Sequence, residues 1–341
     1  MRDYSLLGAE SRLAEERGLV SATWYQPVIP RARLKELMQR RDGPATRFTL
    51  LWFALLVGFG VGAFLARHSW WVVPLLAVYG VLYGSASDSR WHEMGHGTAF
   101  RTPWKNAFVY NVACFMIMRE PTLWRWSHAR HHTDSIIVGR DPEIVAMRPP
   151  RLLSLMVNFF NLTNVPKAVV KLVLHALGRV SPEERTFIPE TEVGTLAKTA
   201  RVWLSIHAAV IALAIVTHSI WPVLLVGPLP SMYGGWFTLF TGLTQHVGLA
   251  EDVLDHRLNT RTVSMNPAFR FLYSNMNYHL EHHLFPLVPY YSLPALHLEL
   301  RAQTPPPYPS TWSAYREIIP TLWRQRRDPT WCVARSLPAP S

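Results

Sequence analysis

The sequence predicts an all-α integral membrane protein, with four transmembrane helices in two hairpins and a helical cap on the cytoplasmic side. Three observations support this fold class. Of the 341 residues, 49% are hydrophobic and only 17% are charged, whereas about 25% are charged in a typical soluble protein. Four long stretches carry no charge, and three short histidine clusters lie outside those stretches.

The four uncharged stretches are predicted to span the membrane at about 48–66, 71–87, 202–217 and 221–243. At a rise of about 1.5 Å per residue the first is roughly 28 Å long, close to the hydrocarbon core of about 30 Å. Glycines within the stretches are typical of membrane helices, although each stretch could instead form a buried core helix. Short turns near 67–69 and 218–220 join the four spans into two hairpins.

The distribution of basic residues predicts the topology. The segment before the first span is rich in arginine and lysine, whereas the short hairpin turns contain only Arg67. Cytoplasmic loops carry this excess, so both termini and the central segment are expected in the cytoplasm. We therefore expect a multi-pass protein of a bacterial inner membrane, with a cytoplasmic arm at 1–46, a membrane domain at 47–300 and a cytoplasmic tail at 301–341.

The formal net charge of +11 is also explained by a membrane surface. Nucleic-acid binding is not expected, because no matching motif accompanies the charge. Two cysteines, Cys114 and Cys332, cannot form a disulfide framework or a cysteine-rich metal site. The first apolar run begins at residue 48 and is too long for the core of a signal peptide, so no cleaved signal is expected.

The histidine clusters have the spacing of helical metal ligands. On a helix, residues at i, i+3 and i+4 share one face. A zinc ion takes about four ligands, so eight aligned imidazoles are too many for one such ion and suit two metal ions. The alternative is that they are scattered surface histidines. The clustered residues are His92 and His96; His128, His131 and His132; and His279, His282 and His283.

Two further predictions concern histidines near the ends of spans. The second span can continue as one helix through 88–90 to His92 and His96, which would hold the two histidines rigidly. His246 follows the fourth span as His92 follows the second, and we predict it as a ninth ligand. The remaining histidines lack both cluster and position and are predicted not to be ligands. They are His68, His175, His207, His218, His256 and His297.

At these residues the sequence resembles the membrane fatty acid desaturase family. The family's HxxxH, HxxHH and HxxHH boxes correspond to 92–96, 128–132 and 279–283, within the words HEMGHGTAF, WRWSHARHH and NYHLEHHLFP. The resemblance covers roughly 48–300, which makes 47–300 the desaturase domain. It implies a mushroom-shaped helical enzyme whose cytoplasmic cap holds two iron ions, with O2 as co-substrate. No catalytic residue beyond the metal ligands is predicted.

The chemistry agrees with that implication. Breaking an unactivated C–H bond requires a redox-active metal, and zinc has no redox chemistry. Carboxylates near the boxes could orient the ligating imidazoles, although each could equally be a surface or capping charge. The candidates are Glu93, Asp134, Asp141 and Glu281.

The predicted function is O2-dependent desaturation of a fatty acyl or related lipid or alkyl chain. Hydroxylation, or a carotenoid-type oxygenation, is an alternative within the family, because both share the first hydrogen abstraction and the third box resembles that of carotenoid-modifying relatives. The chain has no His-Pro-Gly-Gly heme motif. Electrons are therefore expected from a separate ferredoxin or cytochrome b5-like donor with its reductase.

Two functions of other classes compete with this prediction. The run from His92 to His96 also matches the HExxH motif of a membrane zinc metalloprotease, with Glu93 as general base. That mechanism needs a third ligand, typically an aspartate in an apolar segment, and the predicted spans contain none. A metal transporter or heme-binding subunit would place histidines inside spans, where only His207 lies well inside.

Overall fold

The computed structural model describes residues 2–338, and in that range it contains helices but no β-strand. One isolated bridge joins Val263 and Tyr308. The predicted all-α class is confirmed. The helices are α1 (Ala9–Glu16), α2 (Arg31–Leu37), α3 (Asp42–Leu65), α4 (Val72–Gly84), α5 (Trp91–Gly95), α6 (Pro103–Met116), α7 (Pro121–Thr133), α8 (Leu152–Val157), α9 (Asn164–Ala176), α10 (Val193–Val216), α11 (Trp221–Leu225), α12 (Pro228–Tyr233), α13 (Trp236–His246), α14 (His256–Asn259), α15 (Pro267–Leu272), α16 (His279–Leu284), α17 (Leu293–Leu300) and α18 (Thr311–Arg327).

The described chain forms two compact units. Unit 1 comprises 2–40, 125–152 and 241–338, and unit 2 comprises 41–124 and 153–240. The helices α7 and α13 contribute residues to both units. The predicted division of the chain at residues 46 and 300 stays a prediction.

Unit 1 is built around the short helix α16, all of whose residues are buried. Helices α14 and α17 pack against it. The N-terminal segment belongs to the same unit and is tied down by ion pairs and hydrogen bonds, such as Arg2 with Glu251 at 2.9 Å and the Tyr4 hydroxyl with Glu251 at 2.8 Å. The chain from its first described residues therefore takes part in the fold of unit 1.

Unit 2 contains long apolar helices. Two segments are long and apolar enough to cross a membrane, Arg31–Leu65, which includes α3, and Glu190–Val216, which includes α10. Large apolar side chains on α3 and α10 are exposed, as expected for lipid contact. These segments cover residues 48–65 and 202–216 of the predicted spans at 48–66 and 202–217.

The architecture of four continuous spans is not confirmed. Helix α4 has only 13 residues, about 20 Å at 1.5 Å per residue. The stretch at 221–243 is divided among α11, α12 and α13. Gly227, with φ of +97°, interrupts the helical backbone before α12, because this backbone conformation suits only glycine. Prolines at the starts of α11 and α12 donate no backbone hydrogen bond and favour new helix starts.

The prediction of one helix from the second span to His96 is wrong. The chain turns sharply at Ser87, which is extended, and at Asp88, whose φ is +47°. Aspartate is among the few residues that tolerate this left-handed conformation. A separate helix, α5, begins at Trp91, and its first residue packs on Trp124 with ring centroids 5.4 Å apart. The first histidine box is therefore held by packing within unit 2 rather than by continuation of α4.

Glycines bring the backbones of α4 and α12 into direct contact. A Cβ on Gly234 would lie 1.9 Å from the carbonyl oxygen of Gly80, and one on Gly84 would lie 2.3 Å from the carbonyl oxygen of Gly234. Real Cβ atoms do not approach other atoms this closely. Because the obstacle is backbone rather than a flexible side chain, a larger residue would have to move the helix.

We predict that Gly234→Ala lowers the melting temperature of the detergent-purified protein, because overpacking of this kind costs about 1–3 kcal/mol. The measurement is the melting temperature, with thermal unfolding monitored by size-exclusion chromatography of heated samples. Gly58→Ala on α3 is the control, because nothing lies within 4 Å of its Cβ position. Equal melting temperatures for the two variants would contradict the close contact.

Candidate metal centre

Four histidines of unit 1 bring their ring nitrogens together. Within this four-histidine group the candidate ligand atoms all lie within 4.8 Å of one another. Nε2 of His279 is 3.1 Å from Nε2 of His246 and 3.2 Å from Nε2 of His283. Positions 279 and 283 are one helical turn apart on α16, so both side chains reach the same point. The group consists of His131, His246, His279 and His283.

These separations fit a shared metal ion. Two imidazole nitrogens that each bind one ion at about 2.1 Å stand about 3.0–3.4 Å apart for ligand angles between about 90° and 109°. The observed nitrogen separations of 3.1 and 3.2 Å lie inside that range. The arrangement can therefore accept an ion without a change in the spacing of these nitrogens.

The partner of the other ring nitrogen determines which nitrogen is available to a metal. Nδ1 of His246 lies 2.8 Å from the backbone carbonyl oxygen of Asn259. A carbonyl only accepts, so Nδ1 carries the proton and Nε2 presents a lone pair. Nδ1 of His131 lies 2.8 Å from Oδ2 of Asp141, which imposes the same orientation. Partners of this kind are characteristic of metal-binding histidines.

Three imidazoles of this group, those of His246, His279 and His283, are neutral near pH 7. Burial, and then the neighbouring histidines, hold the pKa of His246, His279 and His283 well below the usual value. Histidine must be neutral to bind a metal. A cluster of uncharged rings with convergent lone pairs is what a cation site requires.

A three-histidine group lies in the same unit. Nε2 of His132 is 3.1 Å from Nε2 of His128 and 3.2 Å from Nε2 of His282. Nδ1 of His128 lies 3.0 Å from Oε2 of Glu143, whose Oε1 accepts from the Ser127 hydroxyl at 2.5 Å. Burial raises the pKa of Glu143, but attraction to His128 outweighs it and brings the pKa to about 2. Glu143 is therefore ionised and orients His128.

The first histidine box lies in unit 2. His92 is buried and His96 half-buried, and their ring centroids are 5.4 Å apart on α5. Between them, the buried Glu93 accepts a hydrogen bond from the Thr98 hydroxyl at 2.6 Å. Metal binding by the nine predicted histidines stays a prediction.

The four candidate carboxylates have different surroundings. Asp141 contacts a clustered histidine, as described above. Asp134 pairs with Arg130 and Arg140, and Glu281 contacts the Thr262 hydroxyl and Nδ1 of His297.

Two orienting partners were missed from the sequence. Glu143 lies fifteen positions after His128, in the loop that also carries Asp141. Its place in the same loop as Asp141 was the one feature of the sequence that could have identified it as an orienting partner. The Asn259 carbonyl belongs to the backbone and has no sequence signal.

The histidines predicted not to be ligands have other contacts. His175 pairs with Glu184 at 3.2 Å, and His207 stacks on Phe115. His297 pairs with Glu281 at 2.5 Å. His256 is nearest to the four-histidine group, with its ring centroid 4.9 Å from that of His283. None of these four belongs to either group of potential ligands in the described chain.

Unit 2 contains a cavity of about 420 Å³. Its lining combines apolar side chains, including Leu123, Val165 and Leu172, with polar and charged ones. The charged members are Arg119, Glu120, Lys167 and Lys171. This volume lies in the range of small-molecule sites, about 300–1,000 Å³. The volume is therefore large enough for part of an alkyl chain.

Comparison with known proteins identifies the family. A search of curated proteins finds no match. The family model for Fatty acid desaturase matches residues 68–315, which is most of the chain and includes all nine clustered or predicted histidines. The chain belongs to the fatty acid desaturase family.

Proposed function

We propose that this protein is an O2-dependent desaturase of a fatty acyl or related alkyl chain, acting through two histidine-bound iron ions. The observation that carries the proposal is the pair of imidazole groups in unit 1, with nitrogens spaced for a metal, in a chain of this family. Enzymes of the family are generally oxidoreductases. Two apolar helices and the family together indicate membrane association.

The proposed ligands of one ion are the four-histidine group. The three-histidine group would bind the other, and we also assign His92 and His96 as ligands because they form the first box. When bound, the iron pair would supply the redox chemistry that reduces O2 and oxidises an unactivated C–H bond, which zinc could not do. Asp141, Glu143 and the Asn259 carbonyl orient the imidazoles of His131, His128 and His246.

Desaturation needs an external source of electrons. Reducing O2 to two waters consumes four electrons and four protons, and forming one double bond supplies two of each. A separate donor, a ferredoxin or a cytochrome b5-like protein with its reductase, would supply the other two electrons. We place this reaction on the cytoplasmic side of the membrane, following the distribution of basic residues.

Hydroxylation of the chain is the alternative within the family. The zinc protease has less support, because Glu93 is fully buried and its carboxylate accepts the Thr98 hydroxyl. A general base in a protease must reach a metal-bound water.

The function is tested by expression in a bacterial host supplied with fatty acids, followed by mass spectrometry of the lipids. We expect products lighter by two hydrogens and about two irons per purified chain. His246→Ala should bind less iron, and its activity should fall at least tenfold. Removing even an orienting partner of a metal ligand lowers metal affinity or activity about 10–100-fold. His218→Gln, an exposed histidine of unit 2, is the control. A gain of oxygen would indicate hydroxylation, and an active zinc-only protein would contradict the proposal.

Low pH should destabilise the metal-free protein. An unfolded histidine titrates near about 6.5, whereas the folded pKa of His246, His279 and His283 lies well below that. Below pH about 6.5 the unfolded chain therefore binds protons that the folded chain does not, which costs up to about 1.4 kcal/mol per group per pH unit.

The melting temperature of chelator-treated protein should thus be nearly constant above pH 7 and fall from pH 6.5 to 5. His246→Gln removes one of the titrating groups, so its melting temperature should fall less steeply over the same range. A wild-type melting temperature that is independent of pH over this range would show that the buried rings are not neutral.

We further propose that the cavity of unit 2 holds part of the substrate chain. Leu172 on α9 lines the cavity and is 3% exposed, so Leu172→Trp should fill it and shift the products toward shorter chains. Leu174→Trp, on the same helix at a position 39% exposed, should leave the chain-length profile unchanged. The measurement is the product profile from a mixture of acyl chain lengths. The same profile for both variants would exclude this cavity as the chain site.

A further inference from the structure

One short loop of unit 1 supplies the far-side partners of three clustered histidines. This orienting loop, residues 134–143, carries Asp141 and Glu143, the two carboxylates described above. The hydroxyl oxygen of Ser135, also in the loop, lies 3.2 Å from Nδ1 of His283. The conformation of the orienting loop therefore sets the direction in which three of the imidazoles point.

The orienting loop contains a backbone conformation that is unfavourable by itself. Ile136 has a φ of +57°. A β-branched residue is a genuine outlier in this left-handed region, because its Cβ crowds the backbone. Conformations of this kind persist only where the surrounding structure over-determines them. Contacts from outside the loop are therefore needed to hold it.

Asp252 provides two of these outside contacts. Its backbone N–H donates to the carbonyl oxygen of Ile136 at 3.1 Å, and its Oδ1 accepts from the Val138 backbone N–H at 2.9 Å. Its Oδ2 pairs with the guanidinium groups of Arg2 and Arg17, the latter at 3.2 Å. The side chain of Asp252 is only 6% exposed. One buried carboxylate thus links the orienting loop to two arginines near the start of the chain.

The N-terminal strap, residues 2–25, also packs directly on the orienting loop. A Cβ on Gly139 would lie 2.5 Å from a backbone nitrogen of α1, so the two backbones are in contact. Ala14 and Leu19 of the strap form an apolar cluster with Ile137, which is fully buried. The strap therefore covers the loop through packing, and Asp252 joins the two through its carboxylate.

We propose that Asp252 is a positioning residue of the metal centre. By linking the N-terminal strap to the orienting loop, it keeps the loop in the conformation that directs Asp141 and Glu143 at their imidazoles. The inference rests on the proposed function, because it takes those imidazoles to be metal ligands. Asp252 itself belongs to neither group of potential ligands in the described chain. It acts on the metal affinity through the loop.

The alternative is that Asp252 only stabilises the fold of unit 1. A purely structural role would lower the melting temperature and leave the metal affinity of the folded protein unchanged. A positioning role would also weaken metal binding, because the displaced carboxylates would no longer orient their imidazoles. Loss of one orienting partner lowers metal affinity about 10–100-fold, and the loop carries two such carboxylates.

The test is titration of the full-length, detergent-purified and chelator-treated protein with Co²⁺, followed by the visible absorption of the bound metal. Co²⁺ binds the same nitrogen sites as other divalent first-row metals, and its spectrum reports ligand geometry. Asp252→Gly removes both side-chain links, and glycine suits the φ of +57° at this position. It should weaken Co²⁺ binding at least tenfold and change the spectrum.

Asp252→Asn separates the strap from the loop. Its amide oxygen still accepts from the Val138 N–H, and asparagine tolerates the left-handed backbone, but it has no charge to hold Arg2 and Arg17. We expect a Co²⁺ affinity between those of the wild type and Asp252→Gly, with faster hydrogen exchange in residues 2–25. The double variant Arg2→Gln/Arg17→Gln should behave like Asp252→Asn, since it breaks the same ion pairs.

Two further variants serve as controls. Arg12→Gln replaces an exposed arginine of α1 and should bind Co²⁺ like the wild type. Ile318→Ala removes a fully buried side chain of α18 in the same unit, so it should lower the melting temperature. Well below that temperature, its Co²⁺ affinity and spectrum should match those of the wild type.

The outcomes are decisive in both directions. An Asp252→Gly protein with the wild-type affinity and spectrum, or one that loses no more affinity than Ile318→Ala, would overturn the positioning role. Wild-type Co²⁺ binding by both Asp252→Asn and the double arginine variant would overturn the part assigned to the strap. A wild-type protein that binds no Co²⁺ would instead overturn the proposed function.

Discussion

The candidate centre depends on the hydrogen bonds that fix the far side of three imidazoles, those of His246, His131 and His128. Where Nδ1 is held by a backbone carbonyl or a carboxylate, as in His246, His131 and His128, Nε2 is directed at its neighbours. Lone pairs that converge at about 3 Å repel unless a cation or a proton lies between them. Burial opposes an additional proton on these rings, as the lowered pKa of His246 and His279 indicates. A metal cation bound between the rings would satisfy these nitrogens.

The same constraint explains where the surrounding polar groups lie. Asp141 accepts hydrogen bonds from the Ile136 and Glu143 backbone N–H groups, each at 2.8 Å, in addition to its contact with His131. One carboxylate thus fixes both a ring and the loop that carries Glu143, which in turn holds His128. The two histidine groups of unit 1 are therefore coupled through one short stretch of backbone.

Much of this arrangement follows from helical periodicity in the sequence. The spacing of His279, His282 and His283 placed them on one face of α16, and the position of His246 after an apolar stretch led to a residue that lies beside His279. Periodicity could not reveal breaks that depend on backbone conformation, such as those at Asp88 and Gly227. Composition alone made 221–243 look continuous, since apolar helices and apolar helix fragments have the same hydropathy. The Asn259 carbonyl was invisible because every residue has one.

The composition of unit 1 from three separate stretches of chain has a consequence for biosynthesis. His131, His246 and His283 come from positions far apart, and the last of them emerges from the ribosome only after both long apolar segments have been made. A nascent chain that ends before α16 contains the second box but cannot assemble the four-histidine group. Any metal ion held by all four of these histidines could therefore bind only after both apolar segments have been translated.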